Sequence, residues 1–273
     1  MEIFIVATPI GNLNDITNRA IKILSEVDLI FAEDTRVTMK LLNKFNIQKK
    51  ILSCNEFNES KRLEFLSKEF ENIEKIAVVS DAGTPLISDP GKMIVKFAYE
   101  NGIKVTPIPG VSAISTILSV TPFDTKNFIF LGFSEKNLKL KRENFQKLIN
   151  LKYPFLFFES PKRVVDSITI LKDLDTTLDI VIGRELTKVH EEIIFGNILE
   201  IYEKLSNINI KGEFVIAVSK TKKKDNEKFE FLDDIKILQE LKISTKDIAY
   251  FISNKYNMKK NKIYNFLKNM EQQ

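Results

Sequence analysis

Tryptophan is absent from the 273 residues, and cysteine and histidine occur once each, at Cys54 and His190. A lone thiol cannot close an internal disulfide, and without a CxxC pair or a Cys/His cluster there is no ligand set for a structural zinc. The sequence therefore predicts no metal, and Cys54 reads as a small core residue. No run approaches the ~20 apolar residues of a membrane span. The start, MEIFIVATPIGNL, lacks the basic flank and long apolar stretch of a secretory signal, so a cytoplasmic protein with no membrane partner is expected. Neither GxGxxG nor a GKS or GKT sequence is present, which leaves NAD and ATP binding without support.

What is present is an ordinary globular composition, 44% hydrophobic and 29% charged, far from that of disordered chains. The length exceeds the usual single-domain size of roughly 100–150 residues, so two domains and an appendage are expected. Charge is unevenly placed. The net value is only +4, yet Lys220 to Gln273 carries thirteen lysines against eight acids, leaving a body one charge negative. Such a tail suits contact with a polyanion; a merely solvated Lys-rich end is the competing reading.

Short apolar runs alternate with amphipathic stretches: Ile3–Ile10, a capped segment from Asp15 to Glu26, then Asp28–Asp34. The rhythm continues through Ile76–Asp81, Pro90–Asn101, Lys104–Pro109 and Val111–Val120, the pattern of a parallel α/β sheet with crossover helices. After the break Thr121-Pro122-Phe123-Asp124, a second set of strands is expected at Phe128–Phe133, Pro154–Glu159, Asp179–Glu185, Glu191–Gly196 and Glu213–Ser219. Helical patterns at Phe231–Leu241, Ser244–Lys255 and Asn257–Met270 follow a charged linker. The expected organisation is an N-terminal α/β domain over 1–122, a second α/β domain over 123–220, and a linker with a basic helical tail over 221–273. In the tail, Ser244-Thr245-Lys246-Asp247 resembles a capping box. Lys255, Lys259, Lys260 and Lys262 stand among Tyr256, Tyr264 and Phe266, an arrangement able to hold phosphates and stack bases or, alternatively, to pack a small core behind wet lysines.

Function in open α/β sheets gathers at the carboxyl ends of strands. Thr8-Pro9-Ile10-Gly11-Asn12 follows the first run, with Asn12 to Asp15 placed to cap the next helix. Ser80 to Gly91 packs two glycines, two prolines, two aspartates and three hydroxyls into twelve residues, a rigid loop that presents backbone groups to a ligand. Within it Asp81 to Thr84 read as ligand contacts, and Asp89-Pro90 as the start of the next helix. Pro107 to Ala113 is another strand-to-helix turn with room for a flat ligand. Phe158 to Arg163, Gly183 to Lys188 and Lys211-Gly212-Glu213 supply a second wall.

The segments VATPIGNLNDIT, AEDTR, SDAGTPLISDPG, PGVSAIS, GF, ESPKR, RELTK, HEE and KGEFVI stand in the order seen in the tetrapyrrole methylase superfamily, which the chain resembles from about Ile3 onward. The wording of TPIGNL, AEDTR and SDAGTP is similar to that of its RNA-modifying branch. The resemblance implies two α/β domains, a homodimer, and S-adenosylmethionine (S-adenosyl-L-methionine) in the cleft between the domains. By family pattern the cofactor touches Ile10, Asp81, Gly83, Thr84, Ser112 and Ala113, with Phe158, Glu159, Glu185 and Gly212 as further candidates. It also implies methylation of the ribose 2′-hydroxyl of a cytidine in the decoding region of 16S ribosomal RNA, with the small ribosomal subunit as partner. A precorrin-type C-methyltransferase and a non-catalytic RNA-binding protein are the alternatives.

A ribose hydroxyl becomes a competent nucleophile only as its proton leaves, which calls for a base or a stabilising cation. Glu33, Asp34 and Arg36 lie just past the second apolar run; Glu33 or Asp34 would receive or orient the hydroxyl, while Arg36, Lys162 and Arg163 would hold phosphates. Helix capping by Asp34 or Thr35 is the rival role. His190 falls between RELTK and EEII at a strand start, where a surface or structural role is expected.

Overall fold

The computed structural model describes residues 1–69, 72–205, 210–220, 230–256 and 258–270. The chain forms two compact units, Met1–Lys220 and Thr221–Gln273.

In the first unit, strands β1 (Glu2–Val6), β2 (Leu29–Ala32), β3 (Lys50–Ser53), β4 (Lys75–Val79) and β5 (Lys104–Ile108) pair in the order β3-β2-β4-β1-β5. Every pairing is parallel. Apolar residues fill both sides of these strands, as a sheet covered on both faces requires. Phe4, Val6, Ile30, Ala32, Ala77 and Val79 meet helices α1 (Asn18–Glu26) and α2 (Thr35–Lys44). Their neighbours Ile3, Leu29, Phe31, Ile76 and Val78 meet α3 (Glu59–Glu69) and α4 (Lys92–Glu100) on the opposite face. The chain thus leaves β1 toward one face and the adjacent β4 toward the other, which opens a crevice at their carboxyl ends.

The second sheet is mixed, in the order β6-β7-β10-β8-β9, from β6 (Ile129–Phe133), β7 (Phe155–Glu159), β8 (Leu178–Arg184), β9 (Glu192–Asn197) and β10 (Phe214–Lys220). Only β6 and β7 run parallel. Helices α6 (Leu138–Leu151), α7 (Val164–Leu174) and α8 (Ile198–Lys204) cover one face through Phe145, Ile168, Leu171 and Ile201. The other face packs on α5 (Ala113–Ser119), where Ile117 meets Leu156, Val181, Val215 and Ala217 beside Ile10 and Leu186. That apolar seam joins the two sheets into one body.

The second unit contains α9 (Glu230–Glu240), α10 (Thr245–Lys255) and α11 (Lys260–Met270) around Phe231, Ile235, Ile248, Ile252, Ile263 and Leu267. Ser244 caps α10, its Oγ accepting the Asp247 amide and donating to the Asp247 carboxylate. No helix among the described residues is long and apolar enough to cross a membrane.

Several local expectations change. The first helix begins at Asn18, with Thr17 accepting the Ala20 amide, and Asn12 instead caps a 3-10 turn over Leu13–Asp15. Strand β3 and helix α3 have no counterpart in the sequence reading; a four-residue edge strand is too short to show alternation. Helix α4 starts two residues past Pro90, at Lys92: Gly91 is its N-cap at φ 116°, and Glu59, from the start of α3, accepts the Met93 and Ile94 amides at 2.7 and 3.3 Å. Asp89 is therefore free of the capping role assigned to it.

Candidate active site

At the crevice between β1 and β4 the loops are laced to one another by backbone bonds. Thr8 and Gly83 exchange N–H···O bonds of 2.8 and 3.0 Å, the Thr8 hydroxyl donates to the Ser80 carbonyl, and the Thr84 hydroxyl donates to the Val111 carbonyl. Gly83 takes φ +78°, a conformation L side chains rarely adopt, and a Cβ there would press on Ile10. At Gly110 the requirement is space: a Cβ would lie 2.9 Å from the Ala7 Cβ. Gly110→Ala is expected to push the Pro109–Ser112 turn off β1 and weaken cofactor binding about tenfold, the scale of a ~1–3 kcal/mol overpacking penalty. Titration calorimetry on the folded variant checks it, and wild-type affinity would remove the turn from the binding surface.

These loops form one wall of a cavity of about 420 Å³, within the size range of small-ligand sites. Ile10, Asp81, Gly83, Thr84, Ser112 and Ala113 all line it. The opposite wall comes from the second sheet: Phe158, Glu159 and Gly212 of the candidate set, together with Phe133, Leu186 and Val215. Phe158 is wedged edge-on between Phe130 and Phe133, at 5.0 and 5.5 Å between centroids, which fixes a flat apolar surface.

The rim between the walls is acidic. Glu33 lines the cavity and accepts the Asp81 amide at 3.3 Å, while Asp81 accepts the Asp34 amide at 2.9 Å. Burial pushes the Glu33 and Asp81 carboxyls above their ordinary range. Asp89, also on the cavity, is pushed up to about 6 by burial and by the charge of Glu33. Three carboxylates held partly away from water and close to each other favour a cationic ligand, whose charge offsets both penalties.

Not every candidate meets there. Asp34 is the N-cap of α2, accepting the Arg36 amide, and it holds the Arg36 guanidinium in a two-pronged ion pair, which pulls its carboxyl down to about 2. Arg36 itself is 87% exposed at the side chain. Glu185 lies off the cavity: its carboxylate accepts the Glu213 amide at 2.9 Å and a Lys188 ammonium proton at 2.8 Å, packed over Gly212. Arg163 points back into the fold, donating to the Ser160 hydroxyl and the Ser134 carbonyl and pairing with Glu159 at 2.9 Å, so it is not a free phosphate ligand. Lys162 is exposed on the 3-10 turn Pro161–Arg163. His190 is exposed and lends only its carbonyl, to Arg184.

Glu159 reaches the cavity wall, but its carboxylate is fully enclosed. It accepts hydrogen bonds from Lys141 Nζ (2.8 Å), from the Ser134 and Ser167 hydroxyls and from the Ser160 amide (2.9 Å). Burial alone would raise this carboxyl; the donors around it outweigh that and hold it low. Lys141 is itself 0% exposed. Sequence reading missed Lys141, although its spacing with Phe145 and Leu148 on the buried stripe of α6 was the available signal. It also missed Asp89 as a cavity group. Among the described residues no cluster of three or more His, Cys, Asp or Glu is placed to hold a metal ion.

In the tail unit, Lys259, Lys260 and Lys262 are exposed, with Lys260 5.1 Å from the Tyr250 ring centre. Lys255 is paired with Asp234, which also accepts the Tyr256 hydroxyl. Phe266 meets Phe231 edge-to-face at 5.5 Å between centroids and Tyr264 packs beside the core, so of the two tail readings these rings follow the packing one.

Residues 2–202 match the model of the Tetrapyrrole (Corrin/Porphyrin) Methylases. A protein of Borrelia garinii subsp. bavariensis named ribosomal RNA small subunit methyltransferase I is 45% identical over 224 residues, which cover 80% of this chain and 99% of the relative. A namesake from Pasteurella multocida is 35% identical over 97% of this chain and 95% of its own. The crystal structure of uroporphyrin-III C-methyl transferase from Thermus thermophilus complexed with S-adenyl homocysteine shares the fold at a TM-score of 0.57, with 14% identity over 80% of this chain and 97% of that one. With the sheet order, the laced loops and these matches in agreement, the chain belongs to the tetrapyrrole (corrin/porphyrin) methylase family, on the branch of the proteins named ribosomal RNA small subunit methyltransferase I.

Proposed function

We propose that the chain is an S-adenosylmethionine-dependent methyltransferase of small-subunit ribosomal RNA, and that the atom methylated is the ribose 2′-oxygen of a cytidine in the decoding region of 16S RNA. The observation that carries this reading is the cavity at the β1/β4 crevice, with apolar walls and a half-buried acidic rim. Its chemistry fits the cofactor: backbone groups beside Gly83 and a flat apolar surface at Phe158 for the nucleoside, and Glu33, Asp81 and Asp89 for positive charge. When bound, the cofactor supplies a methyl group on a positively charged sulfur. Positioning two reactants in line is worth up to ~7–11 kcal/mol, so holding the ribose is the main task of the protein. Glu33 takes the 2′-hydroxyl proton on a carboxylate oxygen as the methyl passes from the sulfur to the 2′-oxygen; burial, with the nearby charges of Asp81, Glu56 and Asp34, keeps its affinity for that proton high. Arg36 and Lys162 lie on the outer side, where RNA phosphates would pass.

In this reading 1–122 and 123–220 are the two domains that enclose the cofactor, 221–273 is an RNA-contacting tail, and the protein works as a homodimer in the cytoplasm. Labelled cofactor incubated with unmethylated small subunits, naked 16S RNA and precorrin substrate tests it. Label in the RNA is expected; label only in the precorrin, or no heat of association with the cofactor, would sink it. Ending the chain at Glu227 removes Lys259, Lys260 and Lys262. Subunit binding should weaken and the slope of log affinity against log salt should flatten by about 2, at ~0.7 per lost phosphate contact, with cofactor affinity unchanged. Filter binding at several salt concentrations measures the slope.

A further inference from the structure

Between β3 and α3 the chain turns through Cys54 to Asn58 and presents Phe57 to solvent at 96% exposure. A phenylalanine that packs on nothing would be unremarkable in a loose loop, but this turn is braced from every side. The Ser53 hydroxyl accepts from the Asn58 amide group at 3.0 Å and the Asn55 amide group at 3.4 Å, and the Ser53 carbonyl accepts from Arg62. Asn58 Oδ1 accepts the Asn55 amide at 2.8 Å, and Asn55 Oδ1 accepts the Phe57 amide at 3.1 Å. Two residues on, Glu59 caps α4, whose leading loop carries Asp89 into the cavity. The ring is therefore held in water by the same scaffold that builds the acidic rim.

Its position relative to that rim is set by strand register. Ala32 of β2 faces Ser53 of β3, and the Cys54 amide bonds the Ala32 carbonyl at 2.7 Å. The turn carrying Phe57 thus leaves the sheet beside Glu33, about one strand spacing of 4.8 Å away. The charge of Glu56 in that turn reaches Glu33 and helps raise its carboxyl. Loops leaving neighbouring strands at the same end of the sheet are placed to share one nucleoside, its sugar at Glu33 and its base on the loop that carries Phe57.

We propose that Phe57 is the stacking platform for the base of the nucleotide whose ribose is methylated, a subsite that rests on the RNA-methylating reading above. Unpaired RNA bases are commonly held on aromatic faces, which accept any base because every base has a π face. The exposed ring takes the base once it leaves the RNA stack, and so fixes the sugar at Glu33.

The test uses the full chain and unmethylated small subunits. Phe57→Ala is expected to lower kcat/KM for subunits about tenfold or more, the scale of losing one base–aromatic stack, while cofactor affinity stays at the wild-type value. Phe57→Tyr and Phe57→Trp should retain activity, and Phe57→Leu should fall with Phe57→Ala, since it restores apolar area but no π face. As the chain has no tryptophan, Phe57→Trp also installs a sole reporter, whose emission should be quenched by subunits at the concentrations at which that variant methylates them. Wild-type rates in Phe57→Ala or Phe57→Leu, or unmoved emission under turnover, would overturn the proposal. A wild-type protein that leaves the subunits unlabelled would instead remove the RNA-methylating reading, and this subsite with it.

Discussion

Glu33→Gln is expected to lower the single-turnover rate of methyl transfer by about a hundredfold or more, while cofactor binding stays within a few fold of wild type. The substitution keeps an oxygen to accept the Asp81 amide, so the loop geometry survives; what is lost is the ability to take a proton. The neighbouring carboxylate behaves differently. Asp34 is committed to the α2 cap and to Arg36, and Asn caps as well as Asp, so Asp34→Asn should stay near the wild-type rate. Loss in Asp34→Asn but not in Glu33→Gln would reverse the assignment, and no loss in either would remove both carboxylates from the chemistry.

The pH profile supplies a second check with a definite sign. A base acts only when deprotonated, and burial raises the Glu33 carboxyl, with Asp89 pushed to about 6 beside it. The wild-type rate should therefore climb with pH through the weakly acidic range and level off above it. In Glu33→Gln the charge that helps raise Asp89 is gone, so any residual rate should titrate at lower pH. A residual limb that moves upward would show that the carboxylates are not coupled in this way.

How much of this was legible in the sequence depends on the range of the interaction. The loops that line the cavity follow apolar runs directly, and their Gly, Pro and hydroxyl content is local chemistry, so Asp81 to Thr84 could be read as ligand contacts from the residues themselves, whereas Ile10, Ser112 and Ala113 were singled out only by the family resemblance. Roles fixed by partners far along the chain could not. The α4 helix looked self-capped by Asp89 because an acid precedes it; the acid that does the work, Glu59, lies more than thirty residues upstream on a helix whose edge strand was too short to show. Arg163 and Glu185 carry charges suited to a ligand, yet the buried Glu159 claims the first, and Lys188 with the Glu213 amide claims the second. Spacing states which face a side chain occupies, and charge states what it seeks; neither says which partner the fold brings.

Lys141 shows this most sharply, and its removal carries the largest expected cost in stability. Lys141→Met preserves the length and apolar stem of a side chain on the buried stripe of α6 but deletes the ammonium that serves both Glu159 and the Ser167 hydroxyl at 2.8 Å. Glu159 is left enclosed with Arg163, two hydroxyls and one amide. Breaking a buried pair from one side costs about 3–5 kcal/mol, and at ~2–4 °C per kcal/mol for a body of this size the melting temperature should drop by roughly 10 °C or more. Adding Glu159→Gln should recover part of the loss, because the orphaned charge goes while an acceptor for the hydroxyls stays. The acid limb moves as well. Glu159 is held below its ordinary range, so its contribution is present above the ordinary carboxylate range and lost as pH falls through the depressed value; without Lys141 that loss should begin at higher pH. Because the same carboxylate holds Ser160 on the cavity wall and Ser134, whose amide bonds the carbonyl of the wall residue Phe158, cofactor affinity should weaken along with stability. Thermal melts between neutral and acidic pH, paired with calorimetry, measure both; a variant melting within a degree or two of wild type would mean that the wall is held by the apolar core alone.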